Sequence, residues 1–217
     1  NQIGGLASVL VRSGNIDASA GITEGFNKNF IGDMLSKIPL VGNLLGGLFG
    51  SKTTILGGGL YGGPQSLAEI LSGGFDAQTY TDIKKKKKFF GVTTSTKYKT
   101  QYGEVDPALE QQFTMLLQSF NDAILAAAGP LGANTSEIAQ RLQNFVLDIG
   151  KIDLKDLTGE EIEEKLQAVF GAAADSMAAA AFPGVLRFQQ VGEGMFETLV
   201  RVASTVEAVT MSMNMLG

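Results

Sequence analysis

Apolar positions recur with helical spacing in the second half of the chain. Leu109, Phe113, Leu116, Leu117, Phe120 and Ile124 follow one another at steps of three, four and one, which predicts an amphipathic helix opened by Asp106 and Pro107 and stopped by Gly129 and Pro130. A short helix is expected near Asn134, with Glu137 three residues on. The run FVLDIGKIDL from Phe145 to Leu154 reads as a strand pair or extended segment. Thr158 and Glu161 then have capping-box spacing, and Ile162, Leu166, Val169, Phe170, Ala173 and Met177 mark one helical face up to Phe182, Pro183 and Gly184.

The last apolar series is the longest. Met195, Leu199, Val202, Val206, Val209, Met213 and Leu216 alternate in steps of four and three, three heptads of a coiled-coil-like seam. Valines at both seam positions favour more than two strands by analogy with isoleucine at both, so a homotrimer is expected. The same spacing fits an amphipathic helix packed on its own chain, because the flanking Ala203, Thr205, Thr210 and Ser212 form no charge pairs.

The first half of the chain has a different pattern. Residues 1–30 show no sustained period and read as an irregular segment. Residues 31–74 are glycine-rich and apolar. From Ile38 to Gly50 there are thirteen residues without a charge, shorter than the roughly 20 a membrane-spanning helix needs. Gly42, Gly46 and Gly50 lie four apart, as in helices that approach closely in lipid, which makes Ile38, Leu40, Val41, Leu44, Leu45, Leu48 and Phe49 a candidate membrane segment beside the alternative of a buried helix or loop. Gly57 to Gly59, Gly62, Gly63 and Pro64 break any helix and predict short extended pieces, with a turn or two of helix between Ser66 and Leu71. Residues 75–105 gather β-branched and aromatic residues around five lysines, which predicts a β-hairpin or extended arm. The remaining 106–217 read as a helical assembly domain. The fold class expected is therefore mainly α with a small β-hairpin, an elongated helical bundle of trimeric form.

Composition narrows the chemistry. With no histidine, cysteine or tryptophan, the chain excludes disulfides, thiolate nucleophiles, imidazole bases and the usual zinc, haem and iron–sulfur ligand sets. The net charge of −5 conceals a local excess, since residues 76–99 hold seven lysines and only Asp76 and Asp82, which leaves ten basic and twenty acidic residues elsewhere. Such a balance argues against a broad nucleic-acid-binding face. Lys84, Lys85, Lys86, Lys87 and Lys88 are candidates for contact with an anionic surface, and Phe89 and Phe90 would add apolar anchorage. Alternation along a strand, however, keeps consecutive lysines from sharing one face, and a solvated loop or a guarded edge fits them as well.

Two further motifs lack their contexts. Gly46 to Thr53, GGLFGSKT, has Ser51 where a phosphate-binding loop needs its second glycine, and a glycine-broken stretch follows where a helix is required. Glu160, Glu161, Glu163 and Glu164 fall in the first turns of a helix, where they complement its dipole. No catalytic constellation, cofactor site or metal site emerges, and the chain reads as a non-enzyme without a small-molecule substrate.

The stretch LTGEEIEEKLQAVFGAAADSMAAAAFPGVLRFQQVGEGMFETLVRVA, from Leu157 to Ala203, resembles the C-terminal portion of tailed-bacteriophage tape-measure proteins. LLGGLFGSKTTILGGGL and TYTDIKKKKKFFG are similar to the same family, so the resemblance spans roughly residues 44–209. It implies a structural virion protein in the tail tube. Its C-terminal end would sit at the distal tip, plug the tube and leave before the genome to help form a conduit for DNA across the host envelope. It also implies three copies in contact with the distal tail protein and the baseplate hub protein, and a host-membrane contact during ejection. The family's long helical ruler is missing: fully helical, this chain would reach only about 330 Å. Because the first residue is Asn1, a fragment or processed product of a longer protein is expected. The rival expectation is a membrane-active, pore-forming protein unrelated to tails, inserting Ile38 to Gly50 and holding anionic lipid with its lysines.

Overall fold

The computed structural model describes residues 54–89 and 92–216. In chain order these form β1 (Thr54–Gly62), β2 (Gln65–Ser66), α1 (Leu67–Gly73), β3 (Gln78–Phe89), β4 (Val92–Glu104), α2 (Pro107–Ala127), α3 (Thr135–Gln143), β5 (Val146–Leu147), β6 (Gly150–Asp153), α4 (Gly159–Ala181), a 3-10 helix (Pro183–Phe188) and α5 (Met195–Leu216). The expected elongated helical bundle is overturned. The fold is mixed α and β, with a four-stranded antiparallel sheet in the order β4-β3-β1-β6 and a separate two-stranded pair of β2 and β5.

Long-range strand pairing accounts for the difference. β1 is the glycine-rich TILGGGLYG, which pairs with β3 from Thr54↔Lys84 to Tyr61↔Gln78 and with β6 from Gly59↔Asp153 to Gly62↔Gly150. Glycine is depleted in strands because it packs nothing, but it is kept where another backbone comes very close. Gly59 is such a place: a Cβ there would lie 2.1 Å from the Ile152 carbonyl oxygen. The close approach lets the Leu154 N–H donate to the Gly58 carbonyl at 2.8 Å and the Gly58 N–H donate to Asp153 Oδ1 at 3.1 Å. The run from Phe145 to Leu154 does supply two strands, yet β5 pairs with β2 and β6 with β1, not with each other.

Helix starts follow local chemistry. Ser66 and Glu69 close a capping box on α1, and Thr158 and Glu161 close the expected one on α4, where the Thr158 N–H donates to Glu161 Oε2 at 2.7 Å. Asp106 accepts from the Ala108 N–H at the start of α2, with Pro107 in the first turn, and Asn134 accepts from Ser136 and Glu137 on α3. The expected apolar face of α2 is inside: Phe113, Leu116, Leu117, Phe120 and Ile124 are all buried.

One hydrophobic core joins helices and sheet. Leu60 of β1, Ile152 of β6 and Leu154 meet Leu67 and Ile70 of α1, the inner faces of α2 and α4, and Leu199 of α5. At its centre three rings contact each other. Phe113 and Phe170 lie 4.7 Å apart, and Phe75 meets both edge-on at 6.3 and 6.5 Å. Farther out on the sheet, Tyr80 is buried under the Lys151 ammonium, 4.6 Å from the ring centroid, and its hydroxyl is pushed up to about 12 by burial and by the carboxylates of Asp153 and Asp82.

Candidate functional site

Two surfaces carry the residues singled out by sequence, and they lie on different elements. The first is α5. Its start is braced by a polar cluster in the turn after the 3-10 helix. The Phe196 N–H donates to Asp175 Oδ1 of α4 at 2.9 Å, satisfying a backbone donor of the first turn. Gly194 leaves room for this carboxylate, since a Cβ there would sit 2.4 Å from the same oxygen. Arg201 donates from Nε to Glu193 Oε1 at 2.6 Å and from Nη2 to Oε2 at 2.9 Å, a two-pronged ion pair. The same Nη2 also donates to the Phe188 carbonyl at 2.7 Å, tying the helix to the preceding turn.

Glu193 is held at about 2, well below its ordinary 4.5, chiefly by the hydrogen bond from Arg201 and further by the Gln190 N–H and the Thr198 hydroxyl. A carboxylate whose folded value is depressed stabilises the fold above its unfolded value and ceases to do so as pH falls through the folded one. The melting-temperature advantage of the wild type over Glu193→Gln is therefore expected to be full at pH 7, to shrink below about pH 4.5 and to vanish near pH 2. Melts followed by circular dichroism across that range check it; a difference independent of pH would exclude the ion pair as its source.

Beyond this brace the helix divides. Phe196, Leu199, Val200 and Ala203 are buried against the chain's own core, with Phe196 packed on Phe120 at 5.3 Å between ring centroids. Of the seven seam residues expected from spacing, Leu199 is buried, Met195 packs against the core and Val202 is half-buried. The other four are exposed, increasingly toward the end: Val206 37%, Val209 54%, Met213 67% and Leu216 90%. The inward face is thus 196, 199, 200 and 203, turned by about one residue from the expected seam. From Thr205 onward the helix, about 18 Å long, shows its apolar stripe to solvent. Sequence spacing missed a second apolar strip there: Met211 and Met215, four apart, lie on the opposite side from Val206, Val209 and Met213, and are 52% and 88% exposed.

The second surface is the β3–β4 hairpin. Pairing of β1 with β3 ends at Thr54↔Lys84, while β3 and β4 continue together to Phe89↔Val92. Among the described residues, the hairpin beyond Lys84 is a two-stranded ribbon. Lys84 lies over the Tyr98 ring at 5.4 Å, and Lys85 and Lys86 are exposed. Lys87 and Lys88 continue the strand opposite Ser95 and Thr93. The run is joined by two lysines not counted among the candidates, Lys97 directly across from Lys85 and Lys99 across from Ile83, legible in the alternating TKYKT of β4. Asp82, at the base, is already engaged by Thr100 and by Lys151, whose ammonium donates to it at 2.9 Å. Those bonds, led by the Thr100 hydroxyl, hold its carboxyl below the usual range.

The other candidates find no constellation. The candidate membrane segment Ile38 to Phe49 and the loop Gly46 to Thr53 lie outside the described residues. Strand β1 begins at Thr54, where a phosphate-binding loop would need a helix. Among the described residues, no helix is long and apolar enough to cross a membrane, and no group of three or more acidic residues is placed to hold a metal ion. In a surface depression lined by Gly74, Phe75, Glu110 and Thr114, the Thr114 hydroxyl is committed to the chain itself: it accepts from the Phe75 N–H and donates to the Glu110 carbonyl. No family model, no curated protein and no solved structure matches this chain.

Proposed function

We propose that this chain is a structural virion protein, the C-terminal part of a tailed-phage tape-measure protein, which sits inside the distal end of the tail and self-associates there as a homotrimer. One observation carries the reading: the last half of α5 leaves its own core with apolar residues on two opposite sides. An exposed apolar strip of this length marks a contact surface, and the side that carries Val206, Val209, Met213 and Leu216 continues the heptad spacing of a helix-helix seam. Three copies associating through these ends bury that side about a common axis and leave Met211 and Met215 facing outward, where a tip protein can cover them. The resemblance from Leu157 to Ala203 supplies the identity of the assembly, and with it the distal tail protein and baseplate hub as partners and release during infection as the event. On this reading the chain does mechanical work and catalyses no reaction.

The experiment is cross-linking mass spectrometry on purified virions of the phage that encodes the chain. The expected result is that its peptides reside in the tail tip at three copies per tail, with cross-links between copies involving residues beyond Thr205 and others to tip proteins. Its absence from the particles, or a single copy without self-links, would overturn the proposal.

A further inference from the structure

We propose that the β3–β4 ribbon is a docking surface for duplex nucleic acid, bound through its phosphates without regard to sequence. This goes beyond the assembly role and rests on a separate surface. From Ile83 to Gly103 there are seven lysines and no acidic residue. The strand alternation that keeps them from sharing one face distributes them over both sides of the ribbon: Lys85, Lys97 and Lys99 by register on one, Lys84 and Lys86 on the other. Lys85 and Lys97 are directly opposite each other, an arrangement that destabilises a strand pair unless an anion lies between or beside the two charges. Protection of an exposed edge is met by one or two such charges and does not call for seven.

The shape selects among polyanions. A two-stranded ribbon fits the roughly 12 Å major groove of B-form DNA, whose walls carry phosphates on both sides. Lysines on both faces of the ribbon meet both walls. A flat bilayer would engage one face and leave the opposite lysines in water. The remaining exposed side chains suit the same role, since Thr96 and Tyr98 offer hydroxyls of the kind that contact phosphate and sugar oxygens. Between Lys84 and Lys99 there is no arginine, asparagine, glutamine or acidic residue, so the planar side chains that read adenine and cytosine edges are missing. Binding is therefore electrostatic and sequence-independent. The acidic remainder of the chain confines it to the ribbon.

The test is fluorescence anisotropy of a labelled random-sequence duplex of 24 base pairs titrated with the full chain at several salt concentrations. Five or six phosphate contacts give a slope of about −5 in log K against log salt, or roughly a thousandfold loss between 50 and 200 mM. The triple variant Lys85→Gln, Lys97→Gln, Lys99→Gln is expected to flatten the slope by about 3 and to weaken binding at least tenfold at 50 mM salt. Lys165→Gln, an exposed lysine on α4, is expected to leave both unchanged. The charges removed are exposed, and thermal melts confirm that the triple variant folds; the wild-type slope gives a second reading that needs no variant. Vesicles of phosphatidylserine and phosphatidylcholine form the other arm, where the triple variant is expected to bind no differently from the wild type. No saturable duplex binding at 50 mM, a slope untouched by the triple variant, or loss of vesicle binding in its place would each overturn the proposal. Because the α5 ends are intact in these variants, failure here leaves self-association standing, and the reverse holds too.

Discussion

Phe170→Ala is expected to cost about 3–5 kcal/mol of folding stability, the range for removing a large aromatic side chain from a well-packed core. The ring belongs to α4, stands 4.7 Å from Phe113 of α2 and edge-on to Phe75 ahead of β3, and is 1% exposed. Three elements distant in sequence therefore lose a shared contact at once, and the surrounding helices cannot close the gap without moving the sheet. Against a typical total of about 5–15 kcal/mol, this brings the chain near the edge of stability. Urea unfolding is expected to show a lower midpoint with unchanged slope. A midpoint within error of the wild type would mean that the three-ring cluster does not hold the helices on the sheet.

The second large effect comes from adding one methyl group. Gly59→Ala places a carbon where the Ile152 carbonyl oxygen now sits at 2.1 Å, with the Leu154 backbone nitrogen at 2.9 Å. Neither atom is the end of a flexible side chain, so β6 itself must move. That movement draws the buried Ile152 and Leu154 out of the core and breaks the Leu154 to Gly58 hydrogen bond. A loss of about 3 kcal/mol is expected, at the upper end of what overpacking usually costs. Gly73→Ala is the contrast. It lies at the end of α1 with open space around its added carbon, and is expected to be neutral or stabilising by less than about 1 kcal/mol. Equal urea midpoints for the two variants would contradict the close approach of β1 and β6.

The way these features follow from sequence is uneven, for physical reasons. Helix boundaries at Asp106, Asn134 and Thr158, and the stop at Phe182 and Pro183, depend on local hydrogen bonding and are readable from a few residues. The hairpin of β3 and β4 is local too, and its β-branched and aromatic content announces it. β1 is not, because its glycines carry neither alternation nor strand propensity. What makes them a strand is β6, some ninety residues away. The pairings of β5 and β6 are hidden in the same way: their sequences mark extended chain but not a partner. For α5 the difficulty is of another kind. A heptad spacing records that a stripe is apolar and not what covers it, so the seam residues Met195 and Leu199 end against their own chain while Val209 and Met213 stay outside. The inward turn toward Phe196, Val200 and Ala203 is accompanied by the Glu193 to Arg201 ion pair and the Asp175 cap, which join residues no periodicity links.

Self-association through the end of α5 is the claim on which the functional account turns, and native mass spectrometry of the full chain tests it most directly. The account predicts a species of three times the 22.8 kDa chain mass, reduced to a single chain by Val209→Glu with Met213→Glu while the circular dichroism spectrum is retained. A wild-type chain that stays at one copy across micromolar concentrations, or a trimer that survives both substitutions, would contradict it.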